Sequence, residues 1–169
     1  MNRIALTVLA LTSLGALTAG CGDPSGLHAE GNITLTVHQT GQADGPATFN
    51  LPADTYIDPP PGIGRGFYGS CARVGTRWTV DLSRADSVQT GLRRVQFAVN
   101  EGTASGAVTA KFTLGTTEYD GAARCTVSAV SAEEKGVRLT VQCTNVSSTV
   151  DPRTFDGMGT LTLRNCDVR

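Results

Sequence analysis

The sequence predicts an all-β domain: an antiparallel β-sandwich, immunoglobulin-like or related, stapled by disulfides. Three observations carry this. Apolar residues recur with a period of two in stretches rich in Thr and Val, the pattern of strands with one face buried. Turn dipeptides interrupt those stretches at short intervals, and no long helical period competes with them. Beyond Cys21 the chain carries Cys71, Cys125, Cys143 and Cys166, an even set that an oxidising compartment can pair completely.

Ile33, Leu35 and Val37 alternate with Thr34, Thr36 and His38, so the first strand is expected from Asn32 onward with His38 on its polar side. The stretch from Tyr56 to Gly69, "YIDPPPGIGRGFYG", reads as a long exposed loop, because its prolines block strand continuation and its glycines let the chain turn. Trp78, Val80 and Leu82 mark a further strand, followed by Val95, Phe97 and Val99, and then by Val108, Ala110, Phe112 and Leu114. Between two of these, "SRADSVQTGL" has Ser83 and Asp86 at capping-box spacing and Val88 and Leu92 four apart, which predicts a single helical turn. Turns are expected at Asp44-Gly45, Asn100-Glu101-Gly102, Asp120-Gly121, Glu134-Lys135-Gly136 and Asp156-Gly157.

The segment "CTVSAVSAEEKGVRLTVQC" permits a sharper inference. A hairpin turning within Ser131–Val137 sets Val127 opposite Val141, Ala129 opposite Leu139 and Cys125 opposite Cys143, all on one apolar face. Cysteines directly across two antiparallel strands lie within disulfide reach. Four cysteines allow three pairings, and this register selects Cys125–Cys143, leaving Cys71–Cys166.

At the N-terminus Arg3 precedes an apolar run from Ile4 to Leu17, about 14 residues, the length of an export-signal core and too short to span a bilayer. The run ends in "LTAGC", Leu17 to Cys21. This resembles the lipobox of bacterial lipoproteins: Ala19 and Gly20 match the small residues before the cysteine, and Leu17 lies one place earlier than the family's usual leucine. The resemblance implies that residues 1–20 are a signal peptide and that Cys21 becomes the diacylglyceryl- and palmitate-bearing N-terminus. Cysteine parity points the same way, since five cysteines leave one without an intramolecular partner. Residues 21–31, polar and aperiodic, read as the lipidated N-terminus and tether, and residues 32–169 as a single domain.

Candidate chemistry is sparse. The net charge of −1 implies no general attraction to nucleic acid. "GRGFYG" matches the glycine spacing of a dinucleotide-binding turn, but the strand before it and the helix after it that the mechanism needs are missing. Arg65, Phe67 and Tyr68 of that loop are candidate contacts for a ligand or partner, set against a placement of Phe67 and Tyr68 at the edge of the core. His28 falls in the tether, and a hydrolytic site would have to draw on His38 with Asp54 and Asp58. Asp151 and Asp156 flank "PRTF" and form the one candidate Ca²⁺ loop; no other metal and no cofactor is expected.

The functional expectation is a lipid-anchored protein of the bacterial cell envelope, with the outer membrane as first destination. Its role is that of a non-catalytic interaction or structural module with an envelope protein or glycan as partner. A carrier of a small apolar ligand and an envelope hydrolase are the alternatives.

Overall fold

The computed structural model describes residues 26–57, 66–85, 91–102 and 109–169. Eleven strands form there: β1 (His28–His38), β2 (Gly45–Tyr56), β3 (Phe67–Val74), β4 (Arg77–Arg84), β5 (Leu92–Asn100), β6 (Thr109–Leu114), β7 (Thr117–Asp120), β8 (Cys125–Glu133), β9 (Gly136–Ser147), β10 (Thr154–Arg164) and β11 (Asp167–Val168). They build a five-stranded sheet ordered β2-β1-β10-β9-β8 and a six-stranded sheet ordered β11-β3-β4-β5-β6-β7. Every pair is antiparallel except β11 with β3. Hydrogen-bonded neighbours are consecutive in the chain except β10 with β1 and β11 with β3, so this is an up-and-down meander. The sandwich is thus of the related kind, without the Greek-key crossings of immunoglobulin domains.

Alternation builds the core as expected. Ile33 and Leu35 of β1, Trp78, Val80 and Leu82 of β4, Val95, Phe97 and Val99 of β5, and Ala110, Phe112 and Leu114 of β6 are buried. Between the sheets the aromatic rings meet edge to face: Phe112 with Phe97 at 5.8 Å and with Phe155 at 5.2 Å, and Phe155 with Tyr119 at 5.3 Å. Such pairs add about 0.5–1.5 kcal/mol each beyond burial. Val108 and the expected helical-turn residues Asp86 and Val88 lie outside the described residues. Ser83 itself is a β4 residue paired with Arg94, and its hydroxyl donates to the Tyr68 carbonyl.

The β8–β9 register is the one expected: Val127 pairs with Val141, Ala129 with Leu139 and Cys125 with Cys143. Both disulfides follow, Cys125–Cys143 with Cα atoms 4.0 Å apart and Cys71–Cys166 at 4.8 Å. The second one holds the point where the chain leaves β10 in one sheet and enters β11 in the other.

Two sequence expectations are corrected, and one strand is added. The domain begins before Asn32: β1 starts at His28, Leu27 packs on the core, and the Ile57 N–H donates to the Leu27 carbonyl at 2.8 Å. Asp156-Gly157 is not a turn but lies within β10, opposite a bulge of β9: between the pairs Phe155–Val146 and Gly157–Cys143, Thr144 and Asn145 together face Asp156. The Asp156 carboxylate there accepts the N–H of Asn145, a residue held at φ 51°. β2 is an additional strand: Ala47, Phe49 and Leu51 alternate into the core, and Pro46 and Pro52, which disguise it in the sequence, are tolerated because β2 is an edge strand.

Candidate functional site

The two outer faces differ in chemistry. On the six-stranded sheet, Arg94 makes a two-pronged contact with Asp81, Gln96 also donates to Asp81 at 3.0 Å, and Lys111 pairs with Glu118 at 2.8 Å. That face is a solvated lattice of compensating charge. On the five-stranded sheet the centre is uncharged. Pairing of β1 with β10 and of β10 with β9 sets Asn32, Thr160 and Thr140 in one row, and Thr34, Met158 and Gln142 in the next. All of these point away from the core, because their strand neighbours Ile33, Leu35, Leu139, Val141 and Leu161 are buried. An open, shallow trench of about 900 Å³ lies over β1, β10 and β9. A second hollow of about 660 Å³, lined by Glu30, Ala53, Arg138 and Thr162 among others, continues it toward the start of β1.

At the far end of the trench stands His38, which bridges two carboxylates. Its Nδ1 is 2.9 Å from Asp44 and its Nε2 is 3.2 Å from Asp156. The hydrogen bond with Asp44, then that with Asp156, raises the imidazole pKa above 6.5. Asp156 is lowered in turn, first by the Asn145 N–H and then by His38. At the opposite end of β1, His28 Nδ1 is 2.9 Å from Asp54, and the His28 ring packs edge-on against Tyr56. Asp54 and His38 therefore sit at the two ends of the β1–β2 pair, about 30 Å apart along the strand, and do not converge. Asp58 lies outside the described residues.

The two acids of the expected Ca²⁺ loop have separate partners. Asp151 is clamped by the guanidinium and the backbone N–H of Arg153, which hold its carboxyl far below the usual range. Asp156 instead belongs to the His38 bridge. The Asp151–Arg153 pair also lies over the core at Tyr119, whose hydroxyl is pushed up to about 12, first by burial and then by the neighbouring Asp151 carboxylate. Among the described residues no group of three His, Cys, Asp or Glu side chains is arranged to hold a metal ion.

Of the loop candidates, Phe67 is a β3 residue packed edge-on against Phe49 at 5.5 Å with Arg84 stacked above it, so it belongs to the edge of the core. Tyr68, one residue on, faces out from the same strand and is exposed. Arg65 and Cys21 lie outside the described residues. The trench was missed by the sequence reading. Its signal was the repeated Thr-Leu-Thr of Thr34–Thr36 and Thr160–Thr162, which places Thr on one face twice but does not say that β1 and β10 are neighbours.

No family model matches the chain, and no curated protein matches it. Among solved structures, the ywiB protein from Bacillus subtilis aligns over 82% of this chain and 91% of its own at 9% identity, with a TM-score of 0.23. A likeness at that level carries no argument about fold or function.

Proposed function

We propose that the protein is a bacterial cell-envelope lipoprotein, held to its membrane through an acylated Cys21 and acting as a non-catalytic interaction module. The observation that carries the reading is cysteine pairing. Cys71 with Cys166 and Cys125 with Cys143 consume every cysteine of the described residues, and this even pairing supports a reading in which the fifth cysteine, Cys21, takes the lipid. Structural disulfides also belong to an oxidising compartment such as the bacterial envelope. Two acyl chains would make the attachment effectively permanent, since each buried methylene contributes about 0.8 kcal/mol.

The interaction role is favoured over an apolar-ligand carrier by the interlocked rings of Phe97, Phe112, Tyr119 and Phe155, which occupy the space between the sheets. It is favoured over a hydrolase by the separation of His38 from Asp54 and by the engagement of both His38 ring nitrogens with carboxylates. Growth of the native host with a clickable palmitate analogue tests the anchor. The full-length protein is expected to take up label and the Cys21→Ala variant to take up none. An unlabelled native protein would sink the reading.

A further inference from the structure

We infer that the trench on the five-stranded sheet is a binding site for a neutral polysaccharide chain. The inference rests on the interaction-module reading and supplies its partner. Strand propensity alone accounts for threonines on an outward face. It does not account for the contrast within one molecule, where the other outer face is laced with Arg94–Asp81 and Lys111–Glu118 pairs. The hydroxyls of Thr34, Thr140 and Thr160 and the amides of Asn32 and Gln142 line the open trench, and among the described residues none of these side chains makes a hydrogen bond or ion pair. The two uncharged rows, at Met158 and Thr160, lie about 7 Å apart along β10, and the flanking rows at Asp156 and Thr162 bring the trench to about 20 Å, the length of a short oligosaccharide segment.

The chemistry of that surface selects its occupant. Over the two central rows a charged partner would be stripped of water with no opposite charge to meet it, since the ionic groups sit at the trench ends: His38 with Asp44 and Asp156 at one, Glu30, Arg138 and Arg164 at the other. An apolar partner would bury hydroxyls and amides unsatisfied. A neutral polyol offers each of them a group that is both donor and acceptor. Met158, 68% exposed at the centre of the trench, supplies an apolar spot for the C–H face of a sugar ring.

The test is affinity gel electrophoresis of the full-length protein, purified from its membrane in detergent, through gels holding hydroxyethylcellulose, glycol chitin, dextran or amylopectin, with carboxymethylcellulose as the charged comparison. At least one neutral polymer is expected to retard the protein, with little dependence on salt because no ion pair is used. Thr160→Glu, which sets a carboxylate mid-trench, is expected to weaken that retardation about tenfold or more. The isosteric Gln142→Glu, on an exposed side chain that carries no core packing, is expected to act in the same direction should Thr160→Glu fail to fold. Thr79→Glu on the opposite sheet is expected to change nothing. Failure of every neutral polymer to retard the native protein overturns the inference, as does equal retardation of the native protein and both trench variants. Concentration-dependent self-association that Thr160→Glu abolishes would also overturn it, by giving the face to a second copy. Acylation of Cys21, read by mass on the same preparation, separates the two proposals: a lipidated protein that binds no glycan loses only this one.

Discussion

The two disulfides close loops of very different length, and this sets up a comparison in which most common errors cancel. Cys71–Cys166 spans 95 residues and Cys125–Cys143 spans 18. In the chain-entropy description a cross-link restricts the unfolded chain in proportion to the logarithm of the loop it closes. The long loop then contributes about 4.7 kcal/mol and the short one about 3.2 kcal/mol at 25 °C. The sulfurs of Cys71, Cys166 and Cys143 are buried and Cys125 packs against the same core, so replacing either pair by Ala removes a similar volume. Removing Cys71–Cys166 is therefore expected to cost about 1.5 kcal/mol more than removing Cys125–Cys143. Urea unfolding of the two double Cys→Ala variants measures this, followed through Trp78, the one tryptophan, which is buried in the native state. Equal losses, or a larger loss for the short loop, would refute an origin in the unfolded chain and place the stabilisation in local contacts of the native state.

Two other expectations rest on backbone contact and on charge. Gly159→Ala would set a Cβ 2.1 Å from the Asn32 carbonyl oxygen and 2.6 Å from Ile33 Cα, so β1 and β10 must part, and a loss of about 1–3 kcal/mol or more is expected by the same urea assay. Gly45→Ala meets nothing within 4 Å and is expected to fall within about 0.5 kcal/mol of the native protein. The folded-state pKa of His38 is raised, so its bridge to Asp44 and Asp156 contributes fully below about pH 6.5 and is lost as pH rises through the higher folded midpoint. An NMR titration of the His38 ring is expected to show that midpoint above 6.5. Asp44→Asn should lower it more than Asp156→Asn does, since Asp44 is the larger cause.

What the sequence discloses, and what it withholds, follows from the range of the interactions involved. The β8–β9 hairpin is legible down to its register because Cys125, Val127 and Ala129 have only one set of partners within a short turn that keeps the apolar face intact. Asp156-Gly157 misleads because these residue types favour turns, whereas β10 runs straight through them and the irregularity belongs to β9, whose Asn145 N–H bonds the Asp156 carboxylate. β2 hides behind its prolines until its edge position is known. Asp151 and Asp156 look like a pair in sequence, yet Arg153 takes one and His38 the other. The trench is the least legible feature of all, because it exists only where β1 pairs with β10, with Asn32 facing Thr160 across more than a hundred residues of chain.

The central claim, that Cys21 carries lipid while the other four cysteines are paired, is tested most directly by mass spectrometry of the intact protein and its peptides, purified from its own membranes without reducing agent. The account predicts an N-terminal peptide beginning at acylated Cys21, with Cys71–Cys166 and Cys125–Cys143 as the linked peptides. A Cys21 that is unacylated, or bridged to another cysteine, would contradict it.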